Sequence, residues 1–461
     1  MNFKVSRITE GPKHHLFGFH DLVCTNAKGD LALALEVNDI SHPPLPGEYC
    51  MSGLIDLITN SCSSTPKFTP LHKCHTWNYP QGARQQWLGD SDICLCNDRA
   101  EDGSLVCRMY DARKGEEVKT LPFPMHCLNA AENKAVFINY DRLHAVGGYG
   151  YVPFNGKNVK LDDLPTDDGL WLGAIKTGEK KLIASILQVA SCGETKARRT
   201  GFPHYVTHPM LSPSGKRVAF LHRYRIPDGG ETTRLMTVGI DGSNLRCMAK
   251  GFLSHFTWVS EDEVFIWGAH LPRQFAMREA SYLKIPGVIQ LATTAKECLK
   301  FVRNLGKSPR STAPVTQSKY FLKIKDCDSP VIEKMAAGVI IEDGHPMARP
   351  GCLNQMISDT YPDAAGDRQL YFYDLSTNER IEIGTYRRLF KVPDTSTFDV
   401  EKVKAGSDPR VSKRFDIDLY LFARSGFHCD LHPRWSYDGK TAFFDSIHEG
   451  TRQIYKVEVV K

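Results

Sequence analysis

Apolar residues in this chain fall in short alternating runs, and helical spacing is scarce. Runs at 217–221, 234–240, 369–375 and 453–459 have the period-two character of half-buried strands. Three segments share a longer pattern. They run from His208-Pro209 to Gly215, from His345-Pro346 to Gly351 and from His432-Pro433 to Gly439. In the first and third an apolar strand follows at once, so a short strand is expected to turn tightly through glycine into a second strand. The second copy departs after Gly351, where Cys352-Leu353-Asn354-Gln355 replaces the polar turn. Further strands close in polar turns such as Asp241-Gly242-Ser243-Asn244 and Ser376-Thr377-Asn378. Strand, glycine turn, strand, loop, strand, polar turn, strand is one four-stranded propeller blade.

Weaker copies are read at 21–57, 84–121, 126–185 and 254–285. With the three clear ones they predict an all-β, seven-bladed β-propeller forming a single domain over 1–461, since ring closure protects the edges of repeated antiparallel sheets. One stretch breaks the pattern. Leu299, Val302 and Leu305 stand at helical spacing ahead of Gly306, predicting a helix over 292–306 inside an insertion at 287–340 before the sixth blade. Two readings stand for it, a packed surface insertion and a lid over one propeller face. The aromatic, glycine-rich loop at 149–157 is a second candidate to line that face.

Composition narrows the function classes. The chain has 461 residues with 58 basic and 53 acidic side chains, a net charge of +5 that argues for no nucleic-acid partner but suits a small anionic substrate. The first fifteen residues are polar, and no run of eighteen apolar residues occurs, which predicts a cytoplasmic protein without a membrane span. In that setting most of the 14 cysteines read as buried free thiols, several of them inside strands (Cys94 and Cys96). Neither a glycine-rich phosphate loop nor a Gly-x-Ser-x-Gly elbow is present, which lowers nucleotide-dependent enzymes and serine hydrolases.

The candidate chemistry lies at the blade entries, whose loops converge on a propeller's axis. His208, His345 and His432 hold one repeat position, so histidines far apart in sequence can meet. With Asp430 they offer imidazole and carboxylate donors for a divalent metal, although a histidine before proline can also simply hydrogen-bond a loop. His255 holds a similar entry without the proline, and Arg234 heads an apolar strand, where a buried guanidinium needs a partner. His20 and Arg84 sit at two further entries as candidate substrate contacts beside His208. His72-Lys73-Cys74-His75 has no second ligand pair at zinc-finger spacing and reads as a surface loop.

From about residue 204 onward these residues resemble the oligogalacturonate lyase family, seven-bladed propellers related to the TolB-type repeat. The resemblance rests on His208-Pro209 with its glycine turn, Arg234, the entry from His255 to Trp258, His345, and His432-Pro433-Arg434-Trp435. It implies that Arg234 and His255 act on a uronate, His255 as general base, and that His345 and His432 bind manganese. Two departures stand out. Asp430 replaces a family histidine, and Phe427 falls where the family has a ligating glutamine, with His428 a substitute only if the loop shifts. A site of His345, Asp430 and His432 with open water positions still suits Mn2+.

The implied reaction is β-elimination on short uronate-containing oligosaccharides. It removes a weakly acidic C5 proton, so it needs positive charge on the carboxylate and a neutral imidazole with a pKa near ~6.5 as base. The alternative expectation is a non-catalytic propeller that binds a glycan or protein partner.

Overall fold

The computed structural model describes residues 2–58, 68–193, 201–226, 229–279, 318–389, 399–412 and 416–460. The described chain is mostly β. After β1 (Asn2–Arg7), the first antiparallel sheet is formed by β2 (His14–Leu16), β3 (Leu31–Val37), β4 (Cys50–Asp56) and β5 (Phe68–Cys74). The second holds β6 (Gln86–Trp87), β7 (Ile93–Arg99), β8 (Leu105–Asp111) and β9 (Glu116–Leu121). The third holds β10 (Cys127–Asn129), β11 (Lys134–Ile138), β12 (Gly169–Ala174) and β13 (Lys180–Ser185).

A seven-stranded sheet follows, with β14 (Tyr205–Leu211), β15 (Arg217–Arg225), β16 (Glu231–Gly239), β17 (Arg246–Trp258), β18 (Glu263–His270), β19 (Tyr320–Lys325) and β20 (Ile332–Met335). Its division lies within β17. The first part of that strand pairs with β16 up to Gly251, and the remainder pairs with β18 as far as Trp258. Each half is therefore a four-stranded unit that shares this strand. The next sheet comprises β21 (Met347–Arg349), β22 (Cys352–Asp359), β23 (Asp367–Asp374) and β24 (Glu379–Arg387). In the last, β25 (Arg434–Trp435), β26 (Ala442–Ser446) and β27 (Gln453–Val460) are completed by β1, from Asn2 opposite Val460 to Arg7 opposite Tyr455.

Contacts join each unit to the next. The indole Nε1 of Trp87 donates to Cys24 O, that of Trp258 to Met210 O and that of Trp435 to Met347 O, each at 3.1 Å. Arg84 Nε donates to His126 O, Asn129 Nδ2 to Ser214 O and Ala348 N to Thr257 Oγ1. The last sheet returns to the first through Tyr437 N on Thr25 Oγ1 at 3.0 Å and through a cluster in which Phe443 and Ile454 pack with Ala32 and Leu33. The apolar core is thus distributed between facing sheets. Each interface stabilises its two neighbours by roughly 25 cal/mol for every Å2 of apolar surface removed from water. The glycine turns expected in the three repeats are present, with left-handed φ values of 73° at Gly215, 77° at Gly351 and 65° at Gly439.

Helices are short: α1 (Tyr140–Ala145), α2 (Ile186–Ser191), α3 (Pro272–Arg278), α4 (Val400–Val403), α5 (Pro409–Ser412) and α6 (Ile417–Arg424). The helix expected over 292–306 lies outside the described residues. The end of the stretch 287–340, read from sequence as an insertion, supplies β19 and β20. Alternating apolar residues in Tyr320–Lys325 pair there with β18, so this part belongs to a sheet. The described helical insertion stands elsewhere, between β24 and β25. No described helix is long and apolar enough to cross a membrane.

Candidate metal and proton-transfer site

An imidazole or guanidinium side chain stands in, or a few residues from, the first strand of each unit. Seven positions ahead of the left-handed residues Gly215, Gly439 and Asn133 stand His208, His432 and His126. His20, Arg84, His255 and His345 stand at the corresponding entries of the other units. His208, His432 and Arg84 themselves have positive φ values of 54°, 42° and 52°. Such a conformation costs on the order of 1–3 kcal/mol and persists where surroundings over-determine it. Proline at 209 and 433 lacks an N–H, so it breaks the strand ladder there and turns the preceding histidine inward.

Five imidazoles meet around Phe19. Its ring centroid is 4.4 Å from His20, 4.9 Å from His208, 5.1 Å from His432, 6.2 Å from His345 and 6.3 Å from His255. His345 is the hub, with centroids 4.1 Å from His255 and 4.3 Å from His432. One ligand atom each from His345, Asp430 and His432 lies within 4.8 Å of the others, and all three residues are buried. Donors about 2.0–2.6 Å from a common cation are separated by no more than about 5 Å, so this set fits one divalent ion.

Orientation of the rings supports that fit. Asp359 Oδ1 accepts from the His345 backbone N–H and pairs with its Nδ1, both at 2.8 Å, while Oδ2 accepts from His432 N at 3.2 Å. His432 Nδ1 pairs with Gly18 O at 3.1 Å. Each ring thus has one nitrogen held by a carboxylate or carbonyl and Nε2 turned to the cluster, the arrangement metal-binding histidines adopt. Gly18 lets the backbone at Gln81 approach, because a Cβ there would lie 2.7 Å from Gln81 O. His20 lies against the Pro346 backbone, and neither of its nitrogens makes a well-formed hydrogen bond; His208 Nε2 is likewise unpartnered. Buried polar atoms without partners are uncommon and point to a ligand or ion.

Electrostatics keep most of the cluster neutral. Burial holds His20, His208 and His432 well below the usual imidazole value, with neighbouring positive groups adding to the effect. His255 is lowered by burial and by His345, against the pull of Asp343. Burial also opposes charge on His345, but the charge and hydrogen bond of Asp359, aided by Asp430 and Asp343, raise its pKa to about 9. Burial works against the Asp430 carboxylate too, yet His428, His345 and Arg368 hold it below its ordinary value.

His255 is oriented by a carboxylate. Its Nδ1 pairs with Asp343 Oδ1 at 3.1 Å and with Ser254 Oγ at 3.0 Å, which leaves Nε2 as the other ring nitrogen. Tyr361 lies beside it, with centroids 5.9 Å from His255 and 5.4 Å from His345.

Arg234, expected to act on a uronate, is placed differently. It donates to Val189 O, Ala190 O and Cys192 O at the C-terminal end of α2, and to Cys247 Sγ. Its guanidinium satisfies the last carbonyls of α2 and meets His222 Nδ1 at 3.4 Å, instead of the imidazoles around Phe19. Arg84, expected to contact substrate, is also engaged, in a two-point pair with Asp21 at 2.7 and 2.8 Å and in bonds to His126 O. Arg223 lines a cavity with His20, His208 and His255, and its Nε stands 3.9 Å from Glu231 Oε1 without forming a hydrogen bond. Phe427 is buried among Trp77 and Tyr79, and His428 Nε2 stands 3.5 Å from Asp430. Sequence reasoning missed Asp343, Asp359, Arg223, Tyr361 and His126. The spacing of His126 ahead of Asn133 was the available signal for the last of these.

One end of the cluster is covered. Tyr149 meets His208 edge-on at 6.0 Å and is itself capped by the Arg424 guanidinium at 4.6 Å. Residues around α4 to α6 dock on residues 144–163, through Asp408 N to Ala145 O, His144 to Ala405 O and Arg410 to Asp163. The cavity beside His20, His208 and His255 has a volume of about 10 Å3, room for an ion or one water.

Among known proteins, no family model and no curated sequence matches the chain. Among solved structures, it resembles an oligogalacturonate lyase from Vibrio parahaemolyticus at 14% identity, with a TM-score of 0.54 over 100% of this chain and 97% of that one. A second structure, described as oligogalacturonate lyase in complex with manganese, aligns with 99% of this chain and 93% of its own at 14% identity and a TM-score of 0.40. The first likeness shows a shared, propeller-like overall fold.

Proposed function

We propose that the chain closes as a seven-bladed propeller and acts as a metal-assisted lyase on short uronate-containing oligosaccharides. The observation that carries this reading is the adjacency of a metal-ligand set, His345, Asp430 and His432, to an imidazole–carboxylate pair, His255 and Asp343. A divalent cation such as Mn2+ held by that set would supply positive charge to a substrate carboxylate. Arg223 adds a second positive charge on the same side, in the role the resemblance gave to Arg234. His255 Nε2 takes the C5 proton. The C5–H electron pair forms the C4–C5 double bond, and the C4–O bond breaks with its pair going to the departing sugar oxygen. Tyr361 is the nearby hydroxyl that can protonate that oxygen. No oxidant or reductant is required.

The test is direct. Purified protein with Mn2+ and acidic oligosaccharides should generate the ultraviolet absorbance of an unsaturated uronate, and His255→Ala should abolish it. No product from any defined oligouronide, together with no bound metal, overturns the proposal.

One observation favours the second reading, a propeller that binds a glycan or protein without catalysis. The cavity of about 10 Å3 beside His20, His208 and His255 admits no sugar ring. Tight binding of an oligouronide without turnover would select it.

A further inference from the structure

A second cluster of metal-ligating side chains lies between the first two sheets and shares no residue with the imidazole site. We propose that His72, Cys74 and Cys96 bind a soft or borderline divalent cation such as Zn2+ through one imidazole and two thiolates.

The placement follows from strand geometry. His72 and Cys74 are two apart on β5 and so face the same side of the sheet, and Cys96 reaches them from β7 of the next sheet. One donor atom of each lies within 4.8 Å of the others, and the two sulfurs are 3.8 Å apart. Cys50 stands directly opposite Cys74 on β4, with its thiol in contact with it.

A second, independent feature points to a ligand. Both ring nitrogens of His72 are buried without a hydrogen-bond partner, although the ring is held in place by stacking on Tyr110 at 4.6 Å and 12°. Cys74 and Cys96 are 0% and 3% exposed, so their packing alone gives no reason for an imidazole beside them. A groove of about 350 Å3 lined by His72, His75, Asp98, Arg108, Tyr110 and Phe154 gives an entry path from the surface.

The chemistry balances without a co-reactant. Two thiols lose their protons to solvent, each sulfur donates a pair to the cation, and neutral His72 donates a third. The loaded site then carries no net charge, which suits its burial. Thiolate donors separate this site from the N/O set at His345, which favours harder ions such as Mn2+.

Co2+ is the probe. Reduced, chelator-treated full-length protein should develop a thiolate-to-cobalt charge-transfer band in the near ultraviolet, release two protons per ion, and lose the band to one equivalent of Zn2+. Cys74→Ser and Cys96→Ser should lack the band, and Cys352→Ser should keep it. His345→Ala should also keep it, so failure of the lyase reading leaves this result intact. Alkylation mapped by mass spectrometry on wild-type protein covers the case in which buried variants fail to fold, since Zn2+ should shield Cys74 and Cys96. Absence of the band, its survival in Cys74→Ser, or unchanged alkylation with Zn2+ overturns the proposal.

Discussion

Asp359 holds the imidazole cluster in register, and Asp359→Asn tests that role. Its carboxylate accepts from three buried donors, two on His345 and one on His432. Asparagine keeps one oxygen but presents an NH2 group in place of the other, so at least one buried N–H loses its acceptor, at about 1–3 kcal/mol. The bond to His345 Nδ1 also loses its ionic character, which adds roughly 1 kcal/mol. A chain of 461 residues unfolds with an entropy of about 1 kcal/mol per kelvin, so a loss of about 2–4 kcal/mol lowers the melting temperature by about 2–4 °C. Mn2+ affinity should fall by about 10–100-fold, as when a partner that orients a ligand is removed. Thermal melts in chelator give the first quantity, and electron paramagnetic resonance of free Mn2+ gives the second. A melt within about 1 °C of wild type together with unchanged affinity would refute the reasoning, because a buried N–H cannot lose its acceptor at no cost.

Two further outcomes follow from the same geometry. Arg223→Gln should lower kcat/KM for an oligouronide by about 10²-fold with little change in melting, whereas Arg234→Gln should lower the melting temperature and leave turnover per folded molecule near wild type. The reverse pattern would restore Arg234 to the reaction. Because burial and His345 lower the pKa of His255, its neutral form persists below pH 6.5, and the acid limb of kcat/KM should lie under that value. Asp343 pulls the other way, so Asp343→Asn should move the limb lower still, and a limb above pH 6.5 would exclude His255 as the base.

Strands and turns were readable because their signals are local. The His-Pro segments mark where units begin, and their glycines adopt the left-handed turn the pattern requires. That His345 and His432 come together was readable because they hold equivalent repeat positions, and Asp430 joins them from two residues before His432. The partners that orient them were not, since Asp359 ends β22 with no motif of its own and Gly18 acts through a carbonyl. Arg234 misled because its strand position is visible in sequence while the end of α2 that it binds is 42 to 45 residues away. The fifth unit was blurred because β18 and β19 pair across 49 intervening residues, a separation no local period reports. The thiol cluster escaped for a similar reason. Zinc-finger spacing presumes ligands on one short stretch of chain, whereas His72, Cys74 and Cys96 meet across two sheets.

The pairing of β1 with β27 has a consequence for the order of folding. Asn2 faces Val460, so β1 is hydrogen-bonded to a strand, β27, that is synthesised long after it. Until then β1 has an unpaired edge, and the final sheet lacks a strand. Closing so long a loop costs about 3 kcal/mol more than closing one of about 20 residues, and contacts this distant slow folding. Early sheets can form during synthesis, but this interface waits for β27. A premature stop anywhere before β27 therefore leaves two open sheet edges, the form most prone to pair with another copy.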